Sequence, residues 1–170
     1  MEGWKVQECL DSITILVDSR EQPSERARKR YSAFSFPYRR ETLSYGDYSA
    51  VFVLDGTERK INAAIERKMN LEELSSCLTH DRDRFRREFE RAKEDNATMY
   101  LLVEDATWDK LINGKYKTRF NKKAFLASLM AWIARFNIHP VFCKKEVSGI
   151  LIQEILYREV KERLERGDYD

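Results

Sequence analysis

The sequence predicts an α/β fold: a mixed β-sheet of about five strands flanked by helices on both faces. Three observations carry this. Residues 13–17 (ITILV) and 98–103 (TMYLLV) are short apolar runs with the length and composition of buried strands. Residues 46–68 alternate with period two on either side of Asp55-Gly56, the pattern of an antiparallel pair joined by a tight turn. Elsewhere leucine and phenylalanine recur at helical spacing. The order strand, helix, antiparallel strands, helices, strand, helix, strand, helix needs helices on both sides of one sheet.

After the first strand, which ends at Asp18, Pro23-Ser24 opens a polar helix to about Tyr31. Residues 34–43 are expected to be extended, held to an edge or an irregular strand by Pro37. In residues 46–54, Tyr48, Ala50, Phe52 and Leu54 take one face, while Asp47, Ser49, Val51 and Val53 take the other. Residues 60–68 form the return strand. Ile61, Ala63, Ile65 and Arg67 share one face; Asn62, Ala64, Glu66 and Lys68 share the other. Leu71, Leu74 and Leu78, then Phe85 and Phe89 within 81–95, give two helices. A short helix over 106–112 stops at Asn113-Gly114, and Asn121 caps an apolar helix running to Phe136. A strand over 138–142 and a long helix over 146–166 complete the chain.

With 170 residues, 42% hydrophobic and 35% charged, the chain suits a single globular domain over 1–170. The net charge of +2 announces no nucleic-acid binder, so any such role rests on where the charges sit. Cys9, Cys77 and Cys143 lack CxxC or Cys/His spacing and read as reduced thiols. His80 and His139 stand alone, so a metal site here would use oxygen ligands. No signal peptide or membrane-spanning run is visible, and a cytoplasmic location is expected.

The chemistry concentrates in residues 46–68. Asp47 lies just inside one strand, and Glu66-x-Lys68 ends the next. Two carboxylates and an ammonium at one end of a sheet suit phosphodiester hydrolysis. Mg²⁺ takes a few hard carboxylates and keeps several waters, and a lysine can orient the attacking water or stabilise developing charge. The same residues read equally as a solvated strand end with a weak Glu–Lys ion pair. Composition does not separate the two, because Glu58-Arg59-Lys60 repeats the tripeptide in a turn after Gly56.

Val17-Asp18-Ser19-Arg20-Glu21, then Gly46-Asp47-Tyr48, then Glu66-Arg67-Lys68 resembles the nuclease domain of the XPF-type structure-specific endonucleases, whose pattern is VDxRE, GDY and ERKxxxD. The resemblance runs from about 13 to about 142 and implies a restriction-endonuclease-like fold. It implies a DNA endonuclease dependent on Mg²⁺ or Mn²⁺, with Asp47, Glu66 and Asp18 as metal ligands, Lys68 assisting the water, and Arg20 positioning a phosphate or a carboxylate. The family's final acid falls on Glu72, a longer side chain than the usual Asp, with Glu73 next to it as a substitute. An acidic first helical turn explains both equally well.

Arg82 matches an arginine that follows this helix in the family, and with Arg86 it is expected to reach DNA phosphates. Lys115, Lys117 and Lys122 lie in a loop that also carries Tyr116 and Phe120, a composition suited to tracking a strand or to an ordinary surface loop. The apolar helices after the site suit either a homodimer, as in many family members, or a monomer core. These 170 residues carry neither the helicase nor the helix-hairpin-helix module of larger members, so the chain is expected to be a stand-alone nuclease domain of a bacterial or phage kind or an excised fragment. The expected substrate is branched DNA or DNA with single-strand/duplex junctions, in repair or recombination. The alternatives of the same fold are a non-catalytic DNA-binding or scaffolding partner and a junction-resolvase or restriction-type nuclease.

Overall fold

A computed structural model describes residues 1–169. After helix α1 (Gly3–Asp11), strand β1 (Thr14–Asp18) leads to α2 (Glu25–Ser32), where the Ser24 side chain accepts the Ala27 amide as the N-cap. Strands β2 (Tyr38–Glu41), β3 (Tyr48–Leu54), β4 (Thr57–Lys60) and β5 (Ala63–Lys68) follow. Then come α3 (Leu71–Leu78), α4 (Arg82–Glu94), β6 (Thr98–Glu104), α5 (Trp108–Ile112), α6 (Lys122–Phe136), β7 (Ile138–Cys143) and, after a 3-10 turn, α7 (Ser148–Arg166). Asn121 caps α6 by accepting the Lys123 and Ala124 amides, as its position before that helix predicts.

The sheet order is β2-β1-β3-β5-β6-β7, with β4 paired to β3. Strand β3 is antiparallel to β1 and β5; the pairs β1–β2, β5–β6 and β6–β7 are parallel. The expected α/β mixed sheet is present, with seven strands in place of about five. One addition comes from the return strand, which divides. Strand β4 follows β3 back as the hairpin predicts, with Asp55 and Gly56 both at positive φ in the turn. The chain then steps sideways at Asn62, whose amide donates to Asp95 O. Strand β5 meets β3 only at Tyr48↔Ile65 and runs along β6 instead. Helix α1 was not expected. It has no side-chain cap, and burial of Val6, Cys9 and Leu10 holds it in place.

Two cores lie on opposite faces of the sheet. Ile15, Val17, Tyr48, Phe52 and Ile65 pack with α1 and with Ile152, Leu156, Val160 and Leu164 of α7. Ala64, Met99, Leu101 and Val103 pack with α3, α4 and α6. In the second core Phe85 stacks on Trp132 at 5.0 Å and meets Phe89 edge-on at 4.8 Å, which locks α4 onto α6. The three cysteines are free thiols, and no described helix is long and apolar enough to cross a membrane.

Candidate active site

Because β3 is antiparallel to both neighbours, the C-terminal ends of β1 and β5 flank its N-terminus. Two backbone bonds tie the three strands there: Asp18 N–H to Asp47 O and Asp47 N–H to Ile65 O, each 2.8 Å. Gly46 makes this approach possible. Its φ is +71°, and a Cβ there would stand 2.9 Å from Ala64 Cβ.

These strand ends floor a cleft of ≈ 530 Å³ that Asp18, Arg20, Asp47, Glu66 and Lys68 all line. The walls are the loop after β1 (Glu21, Gln22), one flank of α3 (Glu73, Cys77) and one flank of α4 (Arg84, Arg87, Glu88, Arg91). Lys68 Nζ lies 2.6 Å from Glu66 Oε1 and 5.1 Å from the centre of the Phe85 ring. Asp47 Oδ2 accepts the Arg67 amide at 2.8 Å. Arg20 donates Nε to both oxygens of Asp18 at 3.1 Å and a second nitrogen to Leu43 O. It therefore positions a carboxylate, one of its two expected tasks. The decoy Glu58-Arg59-Lys60 is an exposed edge strand, with Glu58 paired to Arg39 at 2.7 Å.

Removal from water, then the charge of Glu66, raises the Asp47 carboxyl well above its ordinary range. Burial, with Glu88 also opposing ionisation, pushes Glu66 up to about 7 despite Lys68. Burial pulls the Lys68 ammonium down, but the charges of Glu66, Cys77 and Asp47 outweigh it and hold it above the usual lysine value. Among the described residues no three His, Cys, Asp or Glu groups are already arranged around a metal-sized point. The donor set nevertheless fits a hard divalent cation: two poorly solvated carboxylates side by side are the groups a cation would neutralise, and Mg²⁺ needs only one or two.

Three groups of expected site residues lie outside the cleft. Glu72 does not reach the cleft: its Oε1 accepts the Lys117 amide at 2.8 Å on the far side of α3. One residue turns a helix by about 100°, and Glu73 is the acid that faces the strand ends, with Oε2 on the Met69 amide. Arg82 and Arg86 do not line the cleft, and Arg86 is paired with Asp83 and Glu90. Arg84, Arg87 and Arg91 line the cleft instead. The Lys115, Lys117 and Lys122 segment lies outside it. Lys115 pairs with Asp109 at 2.9 Å, and Tyr116 and Phe120, both half-buried, pack on Phe125.

Behind the cleft is a buried network the sequence did not announce. The Glu21 carboxylate accepts the Tyr31 and Tyr48 hydroxyls and pairs with Arg30. Glu104, with no exposed surface, receives a fork from Arg67 at 2.9 and 2.8 Å and also pairs with Arg26. Glu21 was readable as part of Val17-Asp18-Ser19-Arg20-Glu21; Glu104 had no local signal beyond ending a strand.

Fold and cleft define a class: a mixed-sheet domain whose acids and lysine meet at strand ends under an arginine-lined helix. The ERCC4 domain model matches residues 17–152, and the chain belongs to that family. Its fold is that of the XPF-type nuclease domain. XPF from Aeropyrum pernix superposes with a TM-score of 0.63 at 17% identity, over 92% of this chain and 69% of that one. XPF from Aeropyrum pernix in complex with DNA gives 0.62 at 20% identity, over 89% and 66%. A comparison with curated protein sequences finds no match.

Proposed function

We propose that this protein is a DNA endonuclease dependent on Mg²⁺ or Mn²⁺ that acts on branched DNA or on single-strand/duplex junctions. The observation that carries the reading is the convergence of Asp47, Glu66 and Lys68 in one arginine-walled cleft of an ERCC4 domain. The relative whose title names a complex with DNA supports nucleic acid as the ligand.

Asp47 and Glu66 would hold the cation, which when bound polarises a phosphoryl oxygen and acidifies water. Lys68 stays protonated, so its task is to donate to the charge that develops on the phosphoryl group; it is not a general base. Arg20 keeps the Asp18 carboxylate turned to the cleft. Arg84 and Arg87 offer cations to the DNA backbone. The intact acids and lysine favour catalysis over a scaffolding role.

The expected homodimer has little surface in the C-terminal helices. Their apolar stripes face the cores, leaving Met130 and Ile150 as the exposed large apolar side chains of α6 and α7. Sedimentation velocity at micromolar concentration reads this part of the proposal.

The deciding assay offers splayed-arm, flap, junction and linear duplex DNA with Mg²⁺ or Mn²⁺ to wild type, Asp47→Ala and Glu66→Ala. Cleavage by wild type, abolished by EDTA and lowered about 10³-fold in each variant, is expected. Binding without cleavage on every substrate overturns the enzyme reading. Cleavage that survives both substitutions overturns the site.

A further inference from the structure

Glu104 is buried on the side of the sheet away from the cleft. In the parallel pair β5–β6, Arg67 stands opposite Leu102 and Lys68 opposite Val103. Alternation puts Glu104 on the Leu102 face, with the core under α7, and Val103 on the face covered by α3, α4 and α6. Glu104 has no exposed surface, and among the described residues no other charged side chain is buried so fully. It meets neither DNA nor a cation in the cleft. Taking a carboxylate out of water is costly, and packed apolar side chains often stabilise a core as well as a buried ion pair does. Stability alone gives no reason for a charge here; position does.

Two arginines meet on Glu104, and between them they hold both neighbours of Lys68. Arg67, on one side, forks onto the carboxylate through Nε at 2.9 Å and a terminal nitrogen at 2.8 Å. Arg26 pairs with the same carboxylate, and its terminal nitrogen donates to the carbonyl of Met69, on the other side, at 3.2 Å. The Arg67 amide is at the same time the donor to Asp47 Oδ2 at 2.8 Å. A third cation, Arg30, stands 3.6 Å from Glu104 and is paired with Glu21 in the loop after β1. The backbone on each side of Lys68 is thus held from behind the sheet, and one of the two holds also directs a cleft carboxylate.

We propose that Glu104 is a positioning residue for the cleft: through Arg67 and Arg26 it fixes the chain on both sides of Lys68, and through the Arg67 amide it sets the direction of Asp47. The inference rests on the nuclease reading above and adds to it a residue that never touches substrate. The role needs a carboxylate. A glutamine has the same shape but a single acceptor oxygen, which cannot serve both the Arg67 fork and Arg26. Partners that orient a site residue from behind change activity about 10–100-fold when removed, because small displacements of reacting groups are costly.

The test compares wild type, Glu104→Gln, Arg26→Gln and Leu164→Ala. Leu164 is buried at the other end of the strands, where its neighbour Arg163 donates to Asn62 O and Thr98; its truncation lowers stability away from the network. Two readouts are taken on folded protein: the NMR shift and hydrogen exchange of the Arg67 amide in EDTA without DNA, and steady-state cleavage of a flap substrate in Mg²⁺. In Glu104→Gln the Arg67 amide is expected to shift and to lose protection, with kcat lowered about 10–100-fold and KM unchanged. Arg26→Gln, which keeps the fork, loses less kcat, and Leu164→Ala leaves both the amide shift and kcat as in wild type. Wild-type kcat or an unmoved Arg67 amide in folded Glu104→Gln overturns the role of Glu104 and leaves the nuclease reading standing. So does a loss that appears in KM alone, or one that Leu164→Ala reproduces. If Glu104→Gln does not fold, Arg26→Gln decides: lowered kcat at constant KM supports the role, and wild-type kcat overturns it. Wild-type protein that cleaves none of the substrates overturns the nuclease reading and this inference with it.

Discussion

Asp47 Oδ2 accepts the backbone amide of Arg67 at 2.8 Å, while the Arg67 side chain points the other way and forks onto Glu104 behind the sheet. One residue thus joins the cleft to the buried network. Glu66 and Lys68 on either side of it face the cleft, because alternate residues of a strand point to opposite faces. The network anchors the middle of this strand end behind the sheet, while the outer pair faces the cleft.

The network should be costly to break. Glu104 has no exposed surface and faces Arg26, Arg30 and Arg67. Glu104→Gln takes the counter-charge from Arg67 and leaves Arg26 and Arg30 with only Asp105 and Glu21, and a loss of about 3 kcal/mol in urea unfolding is expected. Glu58→Gln, which breaks an exposed pair with Arg39, is expected to leave the unfolding midpoint unchanged. Equal effects would show that the buried network does not support the fold.

Stability in EDTA should fall with rising pH because of Glu66. Burial raises this carboxyl to about 7 from 4.5, so the folded state holds its proton more tightly than the unfolded chain does. That contribution is complete below about pH 4.5 and is lost as pH rises through 7. Asp47 acts in the same direction. Wild type minus Glu66→Gln should therefore decline between pH 4.5 and pH 8, by on the order of 3 kcal/mol at most. A flat difference in urea melts would refute the raised carboxyl, and added Mn²⁺ should reverse the slope.

DNA binding should depend on one flank of α4. Arg84→Ala and Arg87→Ala are each expected to reduce the slope of log affinity against log salt by about 1. Arg86→Ala, already paired with Asp83 and Glu90, should leave it unchanged, as should Arg82→Ala. Fluorescence anisotropy on a flap substrate in Ca²⁺ measures this. A larger change for Arg82 or Arg86 would place DNA on the other flank.

Gly46→Ala should damage both stability and the site. It combines a positive φ with a Cβ 2.9 Å from Ala64 Cβ and 3.1 Å from Ile65 O. A cost of about 2–3 kcal/mol follows, with reduced cleavage by the folded fraction. Gly56→Ala has the same sign of φ but meets nothing within 4 Å, so about 1 kcal/mol and normal cleavage are expected.

Much of the site was legible because strand alternation is local. The order of residues 61–68 alone puts Glu66 and Lys68 on one side and Arg67 on the other, and the structure has them so. The Asp55-Gly56 turn and the caps at Ser24 and Asn121 were equally local, each needing only its own few residues. The division of residues 57–68 into β4 and β5 was not, because β5 leaves β3 for a partner that begins only at Thr98.

The chain by itself determined the mixed α/β order, the faces of the central strands and the three motifs that meet at their ends. Only the tertiary structure decided which sides of α3 and α4 look into the cleft. Both flanks of the Phe85–Phe89 stripe are charged, so periodicity locates the stripe but not the flank. The packing of Phe85 on Trp132 and of α3 on the sheet sets the rotation. That rotation turns Glu72, Arg82 and Arg86 away and brings Glu73, Arg84, Arg87 and Glu88 to the strand ends.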